Sequence, residues 1–111
     1  MKANDEASES SNFAALAAWY ARECNGEWEH RYGISIQSID NPGWWVKVDL
    51  VGTALAARTF EAVSNGVELE GATGSRWLRC YVADGVWNGA GDPTRLDEIV
   101  GYFVTWLRTG P

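Results

Sequence analysis

The chain is poor in the residues that staple or ligate. It has two cysteines, one histidine, three prolines and one methionine. Cys24 and Cys80 are too few for a disulfide framework, and neither a Cys-x-x-Cys pair nor an Asn-x-Ser/Thr sequon occurs. A single histidine, His30, excludes a multi-histidine metal site. No apolar run approaches the ~20 residues of a membrane-spanning helix. The stretch Met1 to Asn12 is polar and acidic and lacks the apolar region of a secretory signal. Basic clusters are also missing. Nine Lys and Arg residues are scattered singly against fifteen acidic ones, for a net charge of -6. Such a domain repels phosphate, so neither nucleic acid nor an anionic membrane is an expected partner. A reduced, cytoplasmic protein is the economical reading.

What is abundant is aromatic surface: seven Trp, four Tyr and three Phe in 111 residues. Hydrophobic residues make up 46% and charged residues 22%, which is globular composition at the length of one domain. Each ring buries roughly 150–250 Å². A domain this small cannot easily bury every Trp, and a surface Trp is a binding-site candidate.

Residues 1–11 show no apolar periodicity and read as a flexible acidic tail; residues 12–111 read as a single α+β domain. Phe13, Leu16, Ala17, Tyr20 and Cys24 fall at helical spacing, with Ser11 or Asn12 as N-cap and Asn25-Gly26 as the stop. Strict alternation follows, with Trp28, His30, Tyr32, Ile34 and Ile36 on one strand face. Asp40-Asn41-Pro42-Gly43 predicts a type II turn, and Trp44, Val46, Val48 and Leu50 then alternate with Trp45, Lys47 and Asp49. The spacing thus predicts a hairpin over 28–50. Residues 58–64 suggest a third strand in which Phe60/Ala62 and Thr59/Val63 compete to face inward. Asn65-Gly66 is a hairpin-type turn, Val67 to Glu70 a short strand and Gly71 to Ser75 a loop. Leu78, Cys80 and Val82 alternate with Trp77, Arg79 and Tyr81, and Asp84-Gly85 turns the chain into a short segment at Val86-Trp87. Asn88 to Asp92 reads as a Gly-rich loop. The last helix, about 94–108, is capped by Asp92 or Thr94, with a Thr94-x-x-Asp97 capping box. Leu96, Ile99, Val100, Phe103, Trp106 and Leu107 follow its period. With no βαβ alternation, the expected fold is an antiparallel sheet of four to five strands, with the N- and C-terminal helices packed on one face and the other face open.

No catalytic or metal-ligating set emerges, and no cofactor is implied. Cys80 sits on the apolar side of a strand, as a small hydrophobe. Cys24 sits at a helix C-terminus, the wrong end to depress a thiol pKa. Both are expected to be unpaired and largely buried. His30 reads as a half-buried structural residue, and Glu27 and Glu29 as a solvated strand edge rather than an acid/base pair. The glycines of 88–91 lack P-loop and G-x-G-x-x-G spacing. The better signal is the open sheet face. If Val46, Val48, Cys80 and Val82 point inward, then Trp45, Asp49, Trp77, Arg79 and Tyr81 point outward, beside Lys47. Aromatic anchors among charges on a rigid sheet suit a partner-binding surface. A covering loop at Gly71–Ser75 or a homodimer contact stays open as the alternative.

Several of these features fall together in one family. Trp19 and Cys24, then Trp28-Glu29, Tyr32-Gly33-Ile34 and Asp40-Asn41-Pro42-Gly43-Trp44, resemble the immunity protein 53 family. The similarity continues through Leu50, Thr53, Trp77, Cys80, Phe103 and Trp106, covering about residues 12–108. That resemblance implies a non-enzymatic antitoxin of a bacterial polymorphic toxin system that neutralises its cognate toxin by direct binding, on an α+β fold. The acidic balance suits a basic, nuclease-type toxin domain as partner. Relatives have also carried a sulfurtransferase label, so a small enzyme of that type is one alternative. A small-ligand-binding α+β module with an aromatic pocket near Trp28, His30 and Trp87 is another.

Overall fold

The computed structural model describes residues 11–65 and 77–109. Ser11 caps the first helix, α1 (Asn12–Glu23), by accepting the Ala14 N–H on its hydroxyl. A single-turn helix, α2 (Trp28–Arg31), follows. Then come β1 (Ile34–Ile39), β2 (Gly43–Asp49), a 3-10 turn (Ala54–Ala57), β3 (Val63–Asn65), β4 (Leu78–Ala83), β5 (Val86–Gly91) and α3 (Leu96–Arg108). The five strands form one sheet in the order β1-β2-β5-β4-β3, every neighbour antiparallel. The α+β architecture expected from the sequence is the one observed, with β5 at the centre.

The inner face is set by register. Val48 stands opposite Trp87, Val46 opposite Gly89 and Trp44 opposite Gly91; on the other side of β5, Val82, Cys80 and Leu78 meet the same three positions. Helix α3 lies over this face and buries Ile99, Val100, Phe103, Val104 and Trp106. It comes down closely because β5 has no side chain at 89. A Cβ there would stand 2.5 Å from Ile99 Cγ2 and 2.6 Å from the Trp87 ring. Helix α1 packs beside α3, adding Leu16 and Trp19 to the same core. Asn12 Nδ2 donates to the Asp97 carbonyl and carboxylate across the two helix starts.

Four of the seven Trp side chains, Trp19, Trp28, Trp87 and Trp106, are buried. They join a chain of edge-to-face rings. Phe103 contacts Trp19 and Trp87 at 5.3 Å each, Trp19 continues to Trp28 at 6.0 Å, and Phe60 bridges Trp87 and Trp106 at 6.0 and 5.1 Å. Such pairs add ~0.5–1.5 kcal/mol each beyond the area they bury. Trp28 donates its indole N–H to the Val51 carbonyl and Trp106 to the Thr59 carbonyl, so both rings are satisfied at their polar edge. Arg58 Nη1 donates to the Trp106 and Leu107 carbonyls, closing the C-terminus of α3 with a cation where the helix dipole favours one.

The structure corrects the sequence reading at several points. Residues 28–31 are helix, so the hairpin runs over 34–49, and His30 is exposed rather than half-buried. The α1 stripe is rotated: Leu16 and Trp19 are buried, while Phe13, Ala17 and Tyr20 face outward, because α1 packs mainly against α3. The turn at 40–42 is not type II. Asn41-Pro42 is cis, and Gly43 is the first residue of β2, without positive φ. Of the strand suggested over 58–64 only Val63 and Ser64 pair, joined by Asn65, where the sequence predicts a turn; both Phe60 and Val63 reach the core because 58–62 is not extended in a ladder. Asn88 to Gly91 is the second half of the central strand, not a loop. The capping box at 94–97 does not form. Arg95 is the N-cap, and Asp92 instead accepts from the Thr94 N–H and hydroxyl in a turn one step earlier. Asp84 (φ 52°) and Gly85 (φ 77°) supply the two positive-φ residues of a type I′ hairpin between β4 and β5. The readings at 66–76, and residues 1–10 of the acidic tail, lie outside the described residues.

Two substitutions test this packing in urea unfolding. Gly89→Ala should cost ~1–3 kcal/mol by overpacking against Ile99 and Trp87. Phe103→Ala should cost ~3–5 kcal/mol by opening a cavity among the rings of Trp19, Trp87 and Trp106. A neutral result at either position would mean that α3 does not seat on β5.

Candidate functional site

The face of the sheet opposite the helices is built from alternate residues of three strands. β2 presents Trp45, Lys47 and Asp49, and β4 presents Arg79, Tyr81 and Ala83. Between them β5 presents Val86, Asn88 and Ala90. Register places Trp45, Ala90 and Arg79 in one row and Lys47, Asn88 and Tyr81 in the next. The middle strand carries the smaller side chains, so the face is a trough walled by aromatic and charged residues. No described helix covers it.

Its walls are ordered. Trp45 donates its indole N–H to Asn88 Oδ1 at 3.1 Å, and Asn88 Nδ2 donates to the Val86 carbonyl, which fixes the amide orientation. The Lys47 ammonium sits 4.4 Å from the Trp45 ring centroid, and the Arg79 guanidinium 4.6 Å from that of Tyr81. Cation–π contacts of this kind stabilise by ~0.5–1 kcal/mol at exposed sites and hold long side chains in place. Asp49 Oδ2 accepts the Gly33 N–H at 2.9 Å, so this carboxylate also tethers the start of β1. Trp77 stands just before β4, its ring against Gly43, where a Cβ would lie 3.2 Å from it. Its indole N–H is buried and makes no hydrogen bond among the described residues.

The structure therefore brings Trp45, Asp49, Arg79 and Tyr81 onto one face, with Trp77 at its end. Trp45, Asp49, Trp77 and Tyr81 are half-buried and Arg79 is exposed. Asn88 and Ala90 complete the site and were hidden from sequence reading by the glycines around them. Their signal was the Val86, Asn88, Ala90 alternation.

The other candidates separate. Trp87 is enclosed in the core, while Trp28 and His30 line one open hollow of 570 Å³ with Glu27, Arg31, Tyr32 and Gly52, so two residues of the suggested ligand pocket come together and the third, Trp87, does not. Glu29 accepts from the Asn25 and Gly26 N–H groups at 2.8 Å each and closes the loop before α2. Cys80 is fully buried on β4, and burial, aided by the charge of Glu98, pushes its thiol up to about 12. Cys24 is only half-buried, a correction to the expectation for it; its thiol donates to the Tyr20 carbonyl. The sheet is antiparallel throughout and Cys80 faces the core, which is not the parallel sheet with a loop cysteine that a sulfurtransferase of the rhodanese kind requires. Among the described residues no cluster of His, Cys, Asp and Glu could hold a metal ion, and no helix is long and apolar enough to cross a membrane.

The start of α3 holds a buried ion pair, Arg95 Nε to Asp92 Oδ2 at 3.4 Å. Burial alone would raise the Asp92 carboxyl. The two hydrogen bonds from Thr94 and the Arg95 guanidinium outweigh it and hold the group below the usual range.

These environments make two predictions. In the native protein at pH 9, Cys80 should remain a thiol and resist iodoacetamide, while Cys24 labels faster; peptide mass spectrometry after timed quenching reads both. Labelling of Cys80 at the unfolded rate would contradict its placement. The depressed Asp92 carboxyl stabilises the fold above its unfolded value near 3.8. That contribution should be lost as pH falls through the folded value, and Asp92→Asn should flatten this part of the acid-unfolding curve. An unchanged curve would contradict the assignment.

No curated protein and no solved structure matches this chain. The family model for immunity protein 53 matches residues 13–108, nearly the whole described domain, including all three helices but for Asn12, the five described strands and every named residue of the open face. By that match the chain belongs to the immunity protein 53 family.

Proposed function

We propose that this chain is an antitoxin that neutralises a cognate toxin by seating the toxin domain on its open sheet face and occluding it, without catalysis of its own. Family membership supports the immunity role. The observation that carries the surface is the pair Trp45 and Trp77, half-buried on a face with no described helix over it, with Trp45 locked by Asn88. Preordered aromatic anchors of this kind lose little side-chain entropy on docking and are what binding hot spots are made of. Tyr81, Arg79 and Asp49 complete the contact. The site of action is the cytoplasm, where Cys24 and Cys80 stay reduced and unpaired.

Calorimetry against the toxin domain encoded beside the immunity gene tests this. Trp45→Ala and Trp77→Ala should each weaken binding by at least ~2 kcal/mol. Thermal melts of both variants check that the fold persists. Asp49→Asn, which can still accept the Gly33 N–H, should act mainly on the association rate and its salt dependence. Alanine variants that bind and protect cells as well as the parent would overturn the assignment of this face.

A further inference from the structure

The charge on the open face has the opposite sign to the charge on the chain. The chain carries -6 in total. Six of its ten described acidic residues gather elsewhere, Asp92, Asp97 and Glu98 around the start of α3 and Glu23, Glu27 and Glu29 around the junction of α1 and α2, while Asp40 and Asp84 lie in the turns at the two ends of the face and Glu61 precedes β3. On the trough itself stand two cations, Lys47 and Arg79, and one carboxylate, Asp49, which is already engaged by the Gly33 N–H. Each cation lies over an aromatic ring. That contact uses the ring face and none of the N–H donors. Among the described residues neither Lys47 nor Arg79 forms an ion pair. Beside Lys47 the trough opens into a hollow of 370 Å³ lined by Gly33, Ile34, Ser35, Lys47, Asp49 and Val86, which is room for an entering side chain.

We propose that the partner docking in this trough is locally acidic: a toxin surface that places two carboxylate side chains against Lys47 and Arg79. This rests on the occlusion reading and names the chemistry of its contact. The two cations stand on strands two apart, two residues out of line, which puts their backbones roughly 12 Å from each other. One carboxylate cannot serve both. Two from one acidic segment can, with the segment crossing the face over Trp45 and Tyr81, which flank the buried Asn88. The rings exclude water from the contact and raise the strength of each pair. A nucleic-acid strand is the weaker fit. Two cations cannot offset the repulsion that a -6 chain exerts on a run of phosphates. The net charge favours a basic partner only at long range, because the Debye length at physiological salt is about 8 Å. At contact, the groups in the trough decide.

The test uses the full chain and a catalytically inactive form of the toxin domain encoded beside its gene, with dissociation constants measured from about 50 to 500 mM salt. Lys47→Gln and Arg79→Gln should each weaken binding about tenfold, and Lys47→Glu and Arg79→Glu about a hundredfold. Lys47→Arg should stay within about threefold of the parent, since it keeps the charge and stacks on Trp45. Circular dichroism melts confirm that each variant is folded. Unchanged or tighter binding by the Glu variants, with Trp45→Ala still weak, would overturn the acidic partner and leave the face standing. A silent Trp45→Ala, or no capture by the parent chain, would overturn the occlusion reading and this one with it. Binding of a labelled oligouridine at physiological salt, or a dimer that protects Trp45, would assign the trough to another occupant and overturn the proposal.

Discussion

Ile99 rests on the backbone of β5 because residue 89 has no side chain, and Trp87 fills the space beside it. The other contacts of the domain follow from that seat. With α3 this low on the sheet, Phe103 reaches both Trp87 and Trp19 at 5.3 Å, and α1 docks mainly on α3. The 58–60 segment then folds over the far end of α3, where Phe60 closes the gap between Trp87 and Trp106 and Arg58 satisfies the last carbonyls. The helical layer is complete on one side of the sheet, and no described helix is left to cover the other.

That one-sidedness gives the trough its character. The central strand has small residues on both faces, glycines inward and Asn88 and Ala90 outward, flanked by Trp45 and Lys47 on β2 and by Arg79 and Tyr81 on β4. The same composition that lets a helix approach from one side leaves a floor on the other. Rigidity comes from the sheet, and orientation from the Trp45–Asn88 hydrogen bond and the two cation–π stacks. A net charge summed over the chain says nothing of this, because six of the ten described carboxylates lie around the helix ends, while the face itself carries two cations and one carboxylate, Asp49.

The sequence was legible where alternation is unambiguous. Residues 34–49 and 78–83 have side chains that differ sharply in polarity from one position to the next, so the inward and outward sets could be assigned, and through them the open face. Trp28, His30 and Tyr32 alternate too, but four residues of helix place Trp28 and Tyr32 on one side equally well, and the pull of Trp28 toward the Val51 carbonyl decides it. Strand β5 was illegible for a different reason. Val-Trp-Asn-Gly-Ala-Gly has the composition of a loop, and only contact with α3 makes glycine the right residue at 89. The helical period of α1 allowed two stripes, and the one that won includes Trp19 because its partner is another helix.

The period-two geometry of the sheet also separates two kinds of selection. Inward positions such as 46, 48, 78, 80, 87 and 89 are tied to core volume, while outward positions 45, 47, 79, 81, 88 and 90 are not. If a toxin docks on this face as proposed, a lineage pressed by a changing toxin can exchange outward residues one at a time without reopening the core, and drift in the core need not alter that surface. Asn88 is the exception. As the hydrogen-bond acceptor for Trp45 it couples two outward positions, so those two must change together.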